Sequence, residues 1–474
     1  MSAAIAWAVV APLAGATAAL IVGDRRSFGI VAASALATLG ATAGVVAAVA
    51  RHGPLGHPIG GWLAPLGIEL RADGLAAAML ATIGVVGVLA GAHARGGVMG
   101  RTRPAGTAWP PWLVAWAALN ALVLSGDAFN LYVTLELMTL AAVGLIALGE
   151  GRAATRAALR YLLFALPGSL VYLLGVALLY GVHGALDLAT LGARPAAGAA
   201  ASFALALMAA GLCLKGALFP FHAWPLPAYA SAPPAVVAVL SGLIGKGAFY
   251  VLVRIWLEVV PADLAPRLGA AVGTLAAGGI LWGSIQALRQ RRLTMVIAYS
   301  SVAHTGYLFV WFPIGTPGAL AGAVCVAISH AAAAASMFLA AGSIHRALGH
   351  DRMSGLVGLA QRLPITFFTL ALAGVSLMGM PPSGGFIGKW LLVRAAIEAG
   401  QWWWAAVVLA GGLLAAGYVF RILRGAFLPI PHDERVRPVA TAGELPALAL
   451  AVLAVLLGLG PSPLLELLGA GGPG

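Results

Sequence analysis

Fourteen long apolar runs follow one another along this chain, near residues 2–22, 28–50, 74–94, 108–126, 128–149, 157–183 and 199–221, then 232–256, 267–288, 293–313, 317–344, 364–397, 402–424 and 442–469. A helix needs about 20 such residues to cross the roughly 30 Å hydrocarbon core of a bilayer. With 61% of its 474 residues hydrophobic and 9% charged, the chain has more apolar surface than one soluble core can hide, so its solvent is lipid. The expected fold class is all-α: a polytopic membrane protein of about 14 transmembrane helices. The connections are short, the longest near 51–73, and none is expected to hold a soluble catalytic domain.

A formal charge of +12 would suggest nucleic acid in a soluble protein, but here the arginines sit between apolar runs and orient helices instead, so no nucleic-acid partner is expected. Loops of one parity carry Arg25, Arg26, Arg95, Arg101, Arg103, Arg152 and Arg156, then Arg289, Arg291, Arg292, Arg346, Arg352, Arg362, Arg421, Arg424, Arg435 and Arg437. The alternate loops carry only Arg51, Arg71, Arg194, Arg254, Arg267 and Arg394. The positive-inside rule puts the first set in the cytoplasm and both termini on the outer side. The opening "MSAAIAWAVVAPLAGATAALIVGDRR" has its positive charges after the apolar run, which is not the order of a cleavable signal peptide. Cys213 and Cys325 read as small core residues; no disulfide framework, metal site or cofactor is expected from them.

Of the 27 basic residues only Lys215, Lys246 and Lys389 are lysines, and all three lie inside apolar runs. A charge at mid-bilayer costs several kcal/mol and persists only facing a cavity, a partner or water. Arginine keeps its proton in proteins, whereas a desolvated lysine can release it, so a chain that reserves lysine for its buried positions points to proton transfer. Glu136, in "NLYVTLELMTLAAVGL", is the acidic counterpart, about eight residues into the fifth run. His304 in "AYSSVAHTGYLF" and His330 in "VCVAISHAAAAASMF" add imidazoles that pass protons near neutral pH; His222 in "FPFHAWPLP" lies nearer a helix break. Lys246, in "VLSGLIGKGAFYVLV", is expected midway along an unbroken helix, facing the bundle interior near Lys215 because glycines 242, 245 and 247 let neighbours or water approach.

Two runs are interrupted beside lysines. "LCLKGALFPFHAWPLP" carries Pro220, Pro225 and Pro227 after Lys215, and "GMPPSGGFIGKW" carries Pro381, Pro382, Gly384 and Gly385 before Lys389. Proline removes a backbone donor and glycine loosens the turn, so both helices are expected to break at membrane depth. Paired broken helices in the two halves of a transporter point to inverted repeats and to the transport route. Neither stretch is a phosphate loop, since GxxxxGK[ST] would need glycine at Ser383 and Ser or Thr at Trp390.

The motifs "GDAFNLYVTLELM", "LKGALFPFHAWPLPAYASAPPAVVAVLSGLIGKGAFYVLVR", "RRLTMVIAYSSVAHTGY" and "GMPPSGGFIGKWLLV" resemble those of the antiporter-like membrane subunits shared by respiratory complex I, membrane-bound hydrogenases and Mrp-type cation/proton antiporters. The resemblance covers roughly residues 110–425, and the "GDxFNLYV" and "PPAVVA" wording is similar to the D-type member of the Mrp antiporters. It implies two inverted five-helix repeats with broken helices 7 and 12. On that division residues 1–107 form helices 1–3, 108–256 the first repeat, 257–425 the second and 426–474 helix 14. It also implies that Glu136, Lys215, Lys246 and Lys389 lie on a central polar axis, in a multi-pass subunit of the inner (plasma) membrane partnered by other hydrophobic subunits. Two departures stand out: Trp224-Pro225-Leu226-Pro227 replaces the family's frequent Trp-Leu-Pro, and "AAAAAS" follows His330 where many members carry a lysine.

The function expected is that of a proton-translocating subunit, first of an Mrp-type Na+(K+)/H+ antiporter, as its D-type member. The alternative is a proton-pumping subunit of a complex I-like NADH-quinone oxidoreductase or membrane-bound hydrogenase. No cysteine cluster, haem-ligand spacing or nucleotide loop stands in the sequence, so any redox chemistry is expected in another chain. The expected order of transfer runs from the Glu136–Lys215 pair to Lys246, then His304, His330 and Lys389.

Overall fold

The computed structural model describes residues 2–23, 27–64, 66–95, 105–193, 198–429 and 437–469. Arg25, Arg26, Arg101, Arg103, Arg194 and Arg435, which entered the orientation expectation, lie outside the described residues. The chain begins with α1 (Ser2–Val22) and α2 (Ser27–His52), then a hairpin of β1 (Leu55–Pro58) and β2 (Glu69–Ala72). Its antiparallel register pairs Leu55 with Ala72 and Pro58 with Glu69, so the longest connection is ordered by its own ladder. There follow α3 (Gly74–Arg95), α4 (Trp109–Leu124), α5 (Ala128–Ile146), α6 (Gly151–His183), α7 (Leu188–Ala193), α8 (Ala199–Lys215), α9 (Leu226–Ser231), α10 (Pro234–Gly242) and α11 (Gly247–Glu258). The second half holds α12 (Ala265–Arg289), α13 (Leu293–Phe309), α14 (Trp311–Ile314), α15 (Pro317–Leu348), α16 (Leu359–Arg362), α17 (Pro364–Met378), α18 (Gly384–Glu398), α19 (Trp402–Leu423), α20 (Thr441–Leu459) and α21 (Ser462–Gly469).

Eleven of these segments, counting α10–α11 and α13–α14 as one each, are long and apolar enough to cross a membrane; α4, α8 and α17 are shorter apolar helices that bring the described spans to fourteen. The protein is therefore a polytopic, all-α membrane protein. The last apolar run is divided at Gly460–Pro461 into α20 and α21.

Packing sorts the spans into inner and outer sets. The apolar window of α15 is 100% buried and that of α10–α11 94%, against 28% for α2 and 33% for α19. The outer helices turn Leu20, Ile21, Leu409 and Leu413 outward, as lipid-facing surfaces do. Small residues make the centre possible, since helices in lipid associate through close van der Waals contact. A Cβ on Gly242 would lie 3.0 Å from the Ala331 carbonyl, and one on Gly168 2.9 Å from the Gly211 carbonyl, so α10 meets α15, and α6 meets α8, backbone to backbone.

Among the described residues, three spans are interrupted beside a lysine. α8 stops at Lys215, Ala217 takes a left-handed conformation (φ 51), and the chain resumes as α9 after a short 3-10 turn at Phe221–Ala223. Pro220 and Pro225 lie between the two helices, whereas Pro227 sits in the first turn of α9, where a missing N–H costs little. α17 stops at Gly379 (φ 78), a left-handed C-cap that favours glycine, and Met380 N–H closes back on the Val375 carbonyl at 3.1 Å. Pro381 and Pro382 follow, and the Ser383 hydroxyl accepts from Phe386 N–H at 3.2 Å to start α18. Gly384 and Gly385 are thus not part of the break but open α18; a Cβ on Gly385 would lie 2.0 Å from the Ser376 carbonyl, so these glycines permit close packing of the two half-helices.

The third interruption corrects the expectation for Lys246. Its span is not continuous: α10 ends at Gly242, residues 244–246 form a 3-10 turn, and α11 begins at Gly247. The local cause is glycine at 242, 245 and 247 together with Lys246 itself, whose amine takes the Ser241 carbonyl at 2.5 Å that a regular helix would give to the residue 245 amide. Arg254 is also not a loop residue. It is buried in α11, where it donates to both carboxylate oxygens of Asp73, and to the Tyr250 hydroxyl at 2.8 Å.

Candidate functional site

α5 carries Glu136 and the broken end of α8 carries Lys215. The Lys215 ammonium lies 2.7 Å from Glu136 Oε1 and 2.5 Å from the Ser169 hydroxyl of α6. Its side chain is 4% exposed and that of Glu136 18%, so the pair is desolvated on the lysine side and open on the carboxylate side. Where α8 ends, its carbonyls lose their helical partners, and the Trp224 indole takes that of Leu214 at 3.3 Å.

Between Lys215 and Lys246 is a cavity of about 40 Å³ lined by Thr139, Ser241, Ser301, Thr305 and His330. A water needs at least ~10–15 Å³ and two or more polar partners, so this space is large and polar enough to hold water between the two amines. Ser241 and Ser301 bond to each other at 2.8 Å on its wall.

Beyond the cavity the contacts are direct. Lys246 Nζ lies 2.8 Å from His330 Nδ1. The His330 ring stacks on His304 with centroids 4.5 Å apart and planes at 23°. His304 Nδ1 lies 2.8 Å from the Ser300 carbonyl; a carbonyl only accepts, so this nitrogen carries a hydrogen. The His304 ring lies 5.3 Å from that of Tyr307, and on the far side Lys389 Nζ donates to the Leu377 carbonyl at 2.7 Å and to that of Met378 at 3.3 Å. The ammonium also lies 4.4 Å above the Tyr307 ring, where a cation is favoured by the ring's quadrupole.

The six residues expected from the sequence therefore lie along one buried line, with one difference in order: His330, not His304, contacts Lys246, and His304 lies on the Lys389 side. His222 is apart from it, stacked on Phe219 at 5.5 Å. Ser169, Ser241, Ser301 and Tyr307 belong to the line without having been singled out. A hydroxyl in an apolar helix usually bonds back to its own turn, as Ser301 does to the Ile297 carbonyl at 3.0 Å, so nothing in the sequence distinguishes these from ordinary helix serines.

Fourteen described spans, three of them broken beside a lysine, around a file of amines, imidazoles and one carboxylate define a polytopic membrane protein with a titratable core. The family described as "NADH:quinone oxidoreductase/Mrp antiporter, TM" matches residues 125–415, which include all six site residues. The chain belongs to this family of antiporter-like membrane subunits. It is 39% identical over 467 residues to the NADH-quinone oxidoreductase subunit N of Desulforudis audaxviator, covering 94% of this chain and 93% of that one. With the D subunit of the Na(+)/H(+) antiporter of Bacillus subtilis it shares 28% over 410 residues, 85% of this chain and 82% of the other. A chain of the Mrp complex from Dietzia sp. superposes with a TM-score of 0.92 at 28% identity, covering 99% of this chain and 96% of that one.

Proposed function

We propose that this chain is a proton-translocating subunit of a multisubunit membrane complex, with other hydrophobic subunits as partners. The observation that carries the reading is the file of titratable groups from Glu136 to Lys389, with a cavity large enough for water between Lys215 and Lys246 and the Tyr307 ring between His304 and Lys389. The Glu136–Lys215 pair acts as the gate. Protonation of Glu136 weakens its attraction for Lys215, freeing the ammonium to turn toward the cavity, and the added positive charge favours release of a proton by Lys246. The Lys246–His330 contact has two arrangements, ammonium donating to a neutral imidazole or imidazolium N–H donating to a neutral amine, and exchange between them moves one proton. The charge change at His330 then acts on His304, stacked against it, and past the Tyr307 ring on Lys389.

For the parent complex, 39% identity over nearly the whole chain to a protein named NADH-quinone oxidoreductase subunit N, against 28% for the D subunit of the antiporter, supports a redox-linked assembly ahead of the Mrp antiporter preferred from the motifs. The fit to a chain of an Mrp complex keeps that as the second reading. In either complex the arginine-bearing loops face the cytoplasm and both termini the outer side.

The test uses the assembled complex in sealed vesicles with a pH-sensitive dye. Glu136→Gln or Lys215→Ala lowers proton movement by about tenfold or more, as loss of a relay group should, while subunit assembly persists. Glu136→Asp keeps the charge with a shorter reach and retains part of the activity. Near-normal proton movement in Glu136→Gln or Lys215→Ala overturns the reading.

A further inference from the structure

A second, larger cavity of about 410 Å³ opens at the arginine-bearing end of the bundle, lined among others by Glu150, Arg292, His345 and Asp351. Arg292 and Asp351 are paired across its wall at 2.9 Å. Tyr229 and Phe338, whose rings lie 5.8 Å apart, are also part of its lining. Tyr229 also lines the 40 Å³ cavity between Lys215 and Lys246. One buried residue therefore borders both spaces, the vestibule and the cavity of the relay.

The element that carries it is suited to move. α9 has only six residues, Leu226–Ser231, with Pro225 and Pro227 at its start and Pro233 and Pro234 after its end, so proline leaves it few backbone bonds to the helices before and after. One side-chain bond ties the segment to the relay: the Trp224 indole holds the carbonyl of Leu214, the residue before Lys215.

We propose that the Tyr229 ring, backed by Phe338, is the gate between the vestibule and the Lys215–Lys246 cavity, opened by displacement of α9. The proposal rests on the relay reading for its purpose, since a gate here decides when water and protons from the arginine-bearing side reach the lysines. Movement of Lys215 shifts the end of α8, and Trp224 passes that shift to α9. Gating is assigned to the ring and not to the hydroxyl, because the ring is the bulk of the one side chain that lines both cavities and packs on Phe338.

The experiment reads access rather than transport. In the assembled complex with Cys213→Ala and Cys325→Ala, a reporter Ser301→Cys is placed on the wall of the central cavity and labelled with a small membrane-impermeant methanethiosulfonate from the arginine-bearing side. Tyr229→Ala raises the labelling rate by roughly tenfold or more, Tyr229→Phe leaves it unchanged, and Phe338→Ala raises it less, as expected when a gating side chain is removed. Tyr229→Val serves in its place if the alanine variant does not assemble. Labelling that is equally slow in the alanine or valine variant, or as fast in Tyr229→Phe as in Tyr229→Ala, overturns the gate. Because labelling needs no proton movement, a normal Glu136→Gln pump with gated labelling refutes the relay and leaves the gate, whereas ungated labelling with an inactive Glu136→Gln pump does the reverse.

Discussion

Lys389 donates to two carbonyls at the end of α17 and faces the Tyr307 ring, contacts that a fixed positive charge would satisfy as well as a titrating one. The relay reading adds a demand that those contacts do not: the amine must give up its proton, which arginine does not do. Lys389→Arg is therefore expected to lower proton movement nearly as much as Lys389→Ala, about tenfold or more; full activity in the arginine variant would mean that charge alone is required. The three lysines were legible because arginine fills every other basic position. Their hydroxyl partners were not, since Ser169 and Ser241 join the line only through the tertiary approach of α6 to α8 and of α10 to α13.

At the scale of elements, the proline-marked interruptions could be read directly, because a missing N–H and a fixed φ act locally. The break before α11 could not. It depends on glycines that also occur in regular membrane helices and on an amine capturing a carbonyl of its own span. Gly379 separates strain from function. A Cβ there would sit in the left-handed region and 2.6 Å from Lys389 Cδ, whereas Gly400 shares the conformation (φ 70) with nothing within 4 Å. Both alanine variants are expected to destabilise by about 1–2 kcal/mol, measured as thermal stability of the purified complex. Only Gly379→Ala should also depress proton movement; equal transport in the two would detach the C-cap from the position of Lys389.

Across the whole molecule, the N-terminal bundle is fastened to the first half of the relay by Asp73, ahead of α3, and Arg254 of α11, with Tyr250 bonded on to the Val123 carbonyl at 2.5 Å. This connection joins residues 181 positions apart, a pairing no local pattern announces, which is why Arg254 reads in sequence as one more span-end arginine. Asp73→Asn leaves the buried guanidinium short of its counter-charge and is expected to cost about 3–5 kcal/mol, seen as loss of assembled complex. Adding Arg254→Met should recover part of it, and an unaffected single variant would show that the pair does not fasten the bundle.

The central claim is that a proton crosses the middle of the protein between Lys246 and His330. Proton translocation by the assembled complex carrying Lys246→Arg tests it most directly, because arginine keeps a donor for the Ser241 carbonyl and a positive charge in the core but has no proton to release. The account predicts translocation reduced to roughly a tenth or less of the parent complex, with assembly retained. Translocation near the parent level would contradict it.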